Sequence, residues 1–254
     1  MASRLKLIVA YDGAPFSGWQ SQPDGNGVQD HLEKAFAQIG AGGVRVHGAG
    51  RTDAGVHALA QCAHADLVSK RYSSDRWRSA LNGVLPSSIR IMRSDFVPDS
   101  YHARFSAISK VYRYRIWNAE VLPPLEYGRA WHVRERLDFG AMSRAAQLFP
   151  GRHDFASFAA KRGRSNRGTS RSDTIRTMRR VRLRRTGALI SIDIEGDGFL
   201  YKMARMIAGA LVQVALGKTG ADEIQARLQR PGKKISQARM VAPAGGLYLF
   251  RVRY

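Results

Sequence analysis

The order in which strand and helix patterns follow one another constrains the fold of this chain more than any other feature of its sequence. From the strand at 4–11 onward, the patterns run strand, helix, strand, strand, helix, strand. The same order begins again at the strand 111–118. A β-α-β-β-α-β order is typical of a ferredoxin-like unit. The sequence therefore predicts an α+β fold of two ferredoxin-like halves, 1–107 and 108–254, with mostly antiparallel sheets.

The individual elements follow from apolar periodicity and from turn residues. In the first half we expect a helix from Val28 to Ile39, strands at 43–48, 57–67 and near 88–97, and a helix over about 75–84 capped by Ser73 or Ser74. In the second half we expect a helix from Asp138 to Phe149, strands near 175–185 and 188–195, helices at 199–216 and 221–229, and a final strand LYLFRVR. No sequence repeat is visible between the halves, so their pairing rests on element order alone.

The charge of the chain indicates a polyanionic partner. Its 254 residues include 41 Lys and Arg against 20 Asp and Glu, a net charge of +21, and 32 of the 41 basic residues are arginine. Arginine binds phosphate through two parallel hydrogen bonds and stacks on bases, so a basic RNA-binding cleft is predicted between the halves. A coding bias accounts for part of the arginine excess but not for the net charge. With 44% hydrophobic residues the chain is not a disordered polybasic tail.

Cysteine content and apolar run length exclude several other classes. The single Cys62 cannot form an intramolecular disulfide or complete a zinc site, and it favours a reducing, cytosolic setting. The longest stretches without a charged residue, 54–65 and 206–217, have 12 residues each, whereas a membrane-spanning helix needs about 20. The N-terminus is interpreted as a first strand and not as a signal peptide.

A basic segment at 161–172, KRGRSNRGTSRS, has few apolar residues and is interpreted as an arm. In so basic a chain, contact with the RNA backbone is the favoured function of this arm. The predicted contacts are Lys161, Arg162, Arg164, Arg167 and Arg171. A solvated loop without a function is the alternative.

The segment GAGRTDAGVHA at 48–58 is the candidate site of chemistry. A dinucleotide fingerprint is rejected because its third glycine is missing and an extended run follows where a helix should begin. A metal site of His47, His57 and His64 is also rejected, because the chain has no second cysteine and no His-x-x-x-His helix. Neither a nucleotide cofactor nor a metal is therefore predicted.

Asp53 admits two interpretations. In an arbitrary Thr-Asp-Ala-Gly sequence the aspartate belongs to a turn or cap. Here Arg51 lies two residues away and favours the ionised carboxylate, while Gly50 and Gly55 allow the backbone to approach a large ligand. An ionised aspartate on such a loop is a candidate nucleophile or base acting on a nucleotide.

The segment GAGRTDAGVHALAQ resembles the catalytic motif of the TruA family of tRNA pseudouridine synthases. The resemblance continues through most of the chain in the same order and spacing. The segments that carry it are YDGAPFSGWQ (11–20), GVQDHLEKAF (27–36), LNGVLPSSIRI (81–91), YHARFSAISKVYRYRIWN (101–118), HDFASF (153–158), FLYKMARMIAGALVQVALG (199–217) and APAGGLYLFRV (242–252).

This resemblance implies roles for five residues. Asp53 would be the catalytic residue, with Arg51 as its partner in the loop. Tyr112 matches the active-site tyrosine of the family, Arg205 matches the arginine that pairs with the aspartate, and Leu247 matches an apolar wall. Without the resemblance, Tyr112 would be interpreted as a core aromatic and Arg205 as a basic residue on a helix surface.

The resemblance also implies the pseudouridine synthase fold and the reaction. Uridines in the anticodon stem-loop of tRNA, at tRNA positions 38–40, would be isomerised to pseudouridine without cofactor or metal, by a cytoplasmic homodimer in which one tRNA contacts both subunits. The target base would be flipped into a pocket. Whether Asp53 adds to the base or ribose, or abstracts the C2′ proton, stays open. The arm at 161–172 departs from the family in being richer in Arg and Gly. A non-catalytic RNA-binding protein on the same scaffold is the alternative function.

Overall fold

A computed structural model describes residues 3–68, 72–160, 174–229 and 241–254 of the protein. These residues form two compact units. The first unit contains the described residues up to Ile108 together with Tyr248–Tyr254, and the second unit is Ser109–Leu247. The junction after Ile108 lies next to the predicted division after residue 107.

The first unit begins with the six elements that the sequence predicts. They are β1 (Ser3–Tyr11), α1 (Val28–Gln38), β2 (Val46–Gly48), β3 (His57–Leu67), α2 (Ser74–Val84) and β4 (Ile89–Val97). Strand β1 is antiparallel to both β3 and β4, and β2 is antiparallel to β3. The resulting order β4-β1-β3-β2 is that of a ferredoxin-like sheet, which confirms the predicted α+β class for this half.

Alternation and capping explain these elements. Leu5, Leu7 and Val9 are completely buried on one face of β1, and the residues between them are half-buried. Helix α2 begins where the Ser73 side chain accepts a hydrogen bond from the Arg76 N–H at 3.3 Å. Strand β2 is shorter than predicted because Gly43, with φ of 76°, keeps the chain out of the extended region before Val46.

The second unit is also built on an antiparallel sheet. Its elements are β5 (Ser109–Trp117), β6 (Trp131–His132), α3 (Phe139–Ala146), β7 (Gly151–Asp154), β8 (Ile175–Thr186), β9 (Leu189–Gly196), α4 (Met203–Ala215) and α5 (Ala221–Gln229). The strand order is β5-β9-β8-β7, every pair is antiparallel, and β6 runs parallel to the end of β5.

Three features of this unit differ from the prediction. Strands β6 and β7 are too short for an alternating pattern to reveal them. Helix α3 ends at Ala146, before the buried Phe149. Its start agrees with the prediction, since the Asp138 side chain accepts from the Ala141 N–H at 2.9 Å directly before the first helical residue, Phe139. Helix α4 begins at Met203 and not at 199, because Lys202 before it has a left-handed φ of 60°.

The final strand, β10 (Leu247–Arg253), follows the second half in sequence but is grouped with the first unit from Tyr248 onward. It runs parallel to β3, with Tyr248 opposite His57 and Leu249 opposite Ala58. After it, the Tyr254 hydroxyl donates to the Ala103 carbonyl at 2.7 Å. A strand pattern in sequence identifies the strand but not its partner.

Three histidines meet on the sheet of the first unit. His47 on β2 lies opposite His64 on β3 with stacked rings 5.1 Å apart, and the His102 ring is 4.6 Å from that of His64. The Ala103 N–H donates to Nδ1 of the buried His64 at 3.2 Å. Burial, together with the charges of His102, Arg4 and His47, lowers the pKa of His64 from its usual 6.5 to about 4, against the opposing effect of the Asp66 carboxylate.

This histidine makes stability depend on pH. The unfolded chain binds a proton at His64 below pH 6.5, whereas the folded chain does so only near pH 4. The free energy of unfolding should therefore decrease as the pH falls through this window. The substitution His64→Asn places an amide oxygen close to the position of Nδ1, so it keeps an acceptor for the Ala103 N–H, and it should flatten the dependence when urea unfolding is compared at pH 7 and pH 5. The same substitution at His153 is the control, and an identical pH dependence in all three proteins would contradict the prediction.

Candidate active site

The loop between β2 and β3 carries the motif that the sequence singles out. Arg51 is exposed, Asp53 is partly exposed, and Thr52 between them is buried with 6% of its surface accessible. The loop closes in a turn in which the Val56 N–H donates to the Asp53 carbonyl at 3.1 Å. Gly55 occupies this turn with φ of 75°, a conformation that favours glycine. The motif therefore has one charged residue on each side of a buried threonine.

Hydrogen bonds from three directions hold the residues that precede Asp53. The Thr52 hydroxyl and the Tyr11 hydroxyl are hydrogen-bonded at 2.8 Å. The Thr52 carbonyl accepts from the Trp19 N–H at 3.0 Å. The Gly50 carbonyl accepts from Nε2 of Gln61, a completely buried residue of β3, at 2.7 Å. The backbone that carries Asp53 is thus fixed by neighbouring strands and by the loop after β1.

The loop after β1, residues 12–20, packs directly against the motif at 48–58. Gly18 has φ of 104°, and a methyl group there would lie 2.7 Å from the Thr52 carbonyl oxygen. A methyl group at Gly13 would collide with the backbone of Val56. Neither glycine is among the site residues predicted from the sequence; the available signal was their place in the segment YDGAPFSGWQ, which contributes to the resemblance.

The start of β3 is held by the same loop. His57 is buried, and its Nδ1 accepts from the Gly13 N–H at 3.0 Å and lies 3.1 Å from Oδ1 of Asp12. Its ring stacks on Tyr248 with 4.7 Å between centroids. His57 is therefore a structural residue at the end of the motif.

The second unit carries the other predicted residues of the site. Tyr112 on β5 is buried, and its ring meets Phe199 edge to face with 4.7 Å between centroids. Arg205 lies in the first turn of α4, and its Nε donates to the Ala242 carbonyl at 2.7 Å. Leu247 is buried at the start of β10. Each of these three side chains is held by local packing or hydrogen bonding.

A second tyrosine of β5 lies close to Arg205. The Tyr114 hydroxyl donates to the Pro243 carbonyl at 2.8 Å, and Tyr114 is completely buried. Burial raises the pKa of Tyr114 well above its usual value, while the nearby charge of Arg205 opposes this. The segment 242–246 is thus held by both Tyr114 and Arg205 within the second unit.

The residues predicted for the site are distributed over both units. Arg51 and Asp53 share one loop of the first unit, and Tyr112, Arg205 and Leu247 belong to the second unit. The predicted contacts of the arm, Lys161, Arg162, Arg164, Arg167 and Arg171, lie outside the described residues.

The described part of the chain contains no cluster of metal-binding side chains and no helix able to cross a membrane. Within it, no group of three or more His, Cys, Asp or Glu side chains is arranged to hold a metal ion. His47 and His64 contact each other, whereas His57 lies against Gly13 and Tyr248. Among helices of residues 3–68, 72–160, 174–229 and 241–254, none has the length and apolar character needed to cross a membrane.

Comparison with known proteins decides the family. A family model described as tRNA pseudouridine synthase matches residues 7–106 and 145–254. The chain belongs to this family. It is 44% identical over 253 residues to tRNA pseudouridine synthase A of Akkermansia muciniphila, a match that covers 99% of this chain and 95% of that protein. The proteins of the same name from Rhodopseudomonas palustris (strain BisB5) and Acetivibrio thermocellus are 44% and 41% identical, over 99% and 98% of this chain and 99% of each relative.

Membership of the tRNA pseudouridine synthase family confirms the resemblance inferred from the motifs and the prediction that the chain is an isomerase enzyme. The residues matched by the family model include Asp53, Arg51, Arg205 and Leu247. Tyr112 lies between the two matched ranges, although the alignments with the relatives extend over nearly the whole chain.

Glycine at position 18 should be required by the contact with Thr52. Alanine there would combine a positive φ with a clash against the Thr52 carbonyl oxygen, whereas a methyl group at Gly25, also at positive φ, meets no described atom within 4 Å. We expect Gly18→Ala to lower the free energy of unfolding by about 1–3 kcal/mol more than Gly25→Ala. Trypsin cleavage after the exposed Arg51 should also be faster in Gly18→Ala. Equal effects of the two substitutions in both assays would contradict the proposed contact.

Proposed function

We propose that this enzyme converts uridine to pseudouridine in the anticodon stem-loop of tRNA, with Asp53 as the catalytic residue. The observation that carries this proposal is the loop geometry: Asp53 is partly accessible on a backbone that the buried Thr52 anchors, within the motif that identifies the family. A rigid backbone beneath an accessible carboxylate suits a group that must meet a flipped nucleotide in one defined position.

The reaction needs no redox partner. The bond from N1 of uracil to C1′ of ribose breaks, the base rotates, and a new bond forms from C5 to C1′. The C5 proton is lost and N1 gains a proton, so atoms and electrons balance within the substrate. The Asp53 carboxylate acts on the sugar-base unit, either by addition to the base or ribose or by abstraction of the C2′ proton. No cofactor is part of this proposal.

Four further residues complete the proposed site. Arg51 is the loop partner of Asp53, and Arg205, oriented through its bond to the Ala242 carbonyl, pairs with the aspartate. The aromatic face of Tyr112 replaces the stacking that the flipped base loses, and its hydroxyl assists removal of the C5 proton. Leu247 forms an apolar wall. The burial of Tyr112 and Leu247 supports roles in lining a pocket.

The partner and the setting are part of the same proposal. A net charge of +21 suits binding to tRNA, whose phosphates attract an arginine-rich surface. We further propose a cytoplasmic homodimer, in which the half at 1–107 carries the aspartate and the half at 108–254 carries the arm. Sedimentation of the protein alone and with tRNA would test the dimer.

Replacement of the catalytic carboxylate should separate chemistry from binding. Asp53→Asn should abolish pseudouridine formation on unmodified tRNA, followed by mass spectrometry or carbodiimide mapping, because the neutral amide is neither nucleophile nor base. The Kd for tRNA should change less than about twofold, since phosphate contacts dominate such interfaces. The same change at Asp75, an exposed residue of α2 paired with Arg78, is the control and should keep full activity.

Two results would count against this assignment. Wild-type turnover in Asp53→Asn would remove Asp53 from the mechanism. Binding of tRNA by the wild-type protein without any pseudouridine would favour the alternative, a non-catalytic RNA-binding protein on this scaffold.

The proposed role of the arm predicts a change in salt dependence. Changing Lys161, Arg162, Arg164, Arg167 and Arg171 together to Ser should weaken tRNA binding, and each lost phosphate contact should lower the slope of log K against log salt by about 0.7–0.9. Five contacts correspond to a change of about 3.5–4.5. The rate at saturating tRNA should fall much less than the affinity. An unchanged slope would mean that the arm is a solvated loop.

A further inference from the structure

We propose that Tyr11 and Thr52 form a positioning pair whose buried hydrogen bond sets the place of the Asp53 carboxylate. This inference rests on the proposed function, because it requires that Asp53 performs the chemistry. Neither hydroxyl touches the substrate in this proposal. The pair acts through the backbone of the loop, and its loss should slow the chemical step while tRNA binding and folding persist.

Tyr11 provides the fixed end of the pair. It is the last residue of β1, and it lies opposite Ala58 of β3 on one side and Ile89 of β4 on the other. Only 4% of its surface is accessible, and its ring lies 6.1 Å from that of Trp19. A strand paired on both edges leaves little freedom to its side chains. The sheet therefore determines where the Tyr11 hydroxyl lies, independently of the loop.

Thr52 provides the end of the pair that lies in the loop. It directly precedes Asp53, and its hydroxyl is 2.8 Å from that of Tyr11. Its carbonyl is held separately by the Trp19 N–H at 3.0 Å. With both attachments present, the peptide before Asp53 is fixed at two points. Without the hydroxyl bond one attachment is left, and the peptide can rotate about it while the loop stays folded.

A purely structural role does not require the Tyr11 hydroxyl. The ring alone fills the space beside Trp19, and burying a hydroxyl costs free energy unless it is hydrogen-bonded. Here its partner is the Thr52 hydroxyl, in the loop whose Gly50 carbonyl is held by Gln61 of β3. Burial raises the pKa of Tyr11 far above its usual value, so the hydroxyl remains protonated. The hydrogen bond to Thr52 thus connects Tyr11 to the loop that carries Asp53.

Four variants test the pair. Tyr11→Phe and Thr52→Val each remove one hydroxyl and keep the shape of the side chain, the double variant removes both, and Thr52→Ser keeps the hydroxyl. The measurements are the single-turnover rate constant at saturating tRNA and the Kd for tRNA, at a temperature where every variant is folded by circular dichroism. Thr52→Val and Tyr11→Phe report on the same bond, so either remains informative if the other does not fold.

We expect each single variant to turn over about 10- to 100-fold more slowly, because a displacement on the order of 1 Å at the reacting group costs up to about 100-fold. The Kd for tRNA of each variant should stay within about twofold of the wild-type value. Thr52→Ser should be close to wild type, and the double variant should be no slower than the slower single variant, because one bond can be lost only once.

The outcomes separate this inference from the function on which it rests. Wild-type rates in Tyr11→Phe and Thr52→Val, with Asp53→Asn inactive, would overturn the positioning pair and leave the proposed function intact. Multiplicative losses in the double variant, or a slow Thr52→Ser, would also overturn it, since they indicate independent packing effects. A wild-type enzyme that forms no pseudouridine would refute the proposed function itself, and the inference with it.

Discussion

The first unit depends on β1, a strand paired on both of its edges. Its alternating side chains bury Leu5, Leu7 and Val9 on one face, and its register with β3 and β4 is continuous apart from single irregularities near Ile8, Val9 and Tyr11. The strand ends where its last side chain meets the loop of the motif. The alternation of apolar residues along β1 therefore contributes to the core of this unit. It also fixes the position of Tyr11, which contacts the loop that carries Asp53.

Ion pairs with acidic residues order several of the arginines of this basic chain. Several of its acidic residues are used as local partners: Asp193 binds Arg113 through two bonds of 2.6 and 2.9 Å, and Glu126 binds Arg115 at 2.8 Å. Asp66 holds Arg4 in the same forked way in the first unit. Such pairs order particular arginines. Other arginines are exposed, as on β8, where Arg179, Arg182, Arg184 and Arg185 are all accessible.

Prediction from sequence succeeded where local physics determines the outcome. The bounds of β3 and the cap of α2 follow from strand periodicity and from a serine side chain that accepts a backbone N–H group. It failed where the determinant is not local. Strands β6 and β7 form because longer strands offer them an edge, and the parallel pairing of β10 with β3 joins residues almost two hundred positions apart. A short stretch of sequence does not show which distant strand will pair with it.

The candidate site also combines a residue that can be predicted from sequence with residues whose role is seen only in the structure. Asp53 was predicted from the resemblance of its motif to that of a family, and its catalytic role stays a prediction, whereas the sequence Thr-Asp-Ala-Gly elsewhere would be interpreted as a turn. The residues that hold it, Tyr11, Gly18 and Trp19, look individually like a strand end, a turn glycine and a core aromatic. Their common function is visible only when the loop after β1 is folded against Thr52.

Burial of the anchor and exposure of the carboxylate are complementary requirements. A hydrogen bond between hydroxyls shielded from water is stronger and more directional than one in solvent, so Tyr11 and Thr52 can hold the backbone in one place. Under the proposed function the Asp53 carboxylate must reach a nucleotide, so it cannot be buried in the same way, because it would lose both access and hydration. The loop resolves this conflict by alternation: Arg51 and Asp53 face outward on either side of Thr52, and the inward residue supplies the rigidity that the outward residues need. A shift of this pattern by one residue would bury Arg51 and Asp53 and expose Thr52. The order Arg-Thr-Asp therefore determines both the anchoring of the loop and the accessibility of its carboxylate.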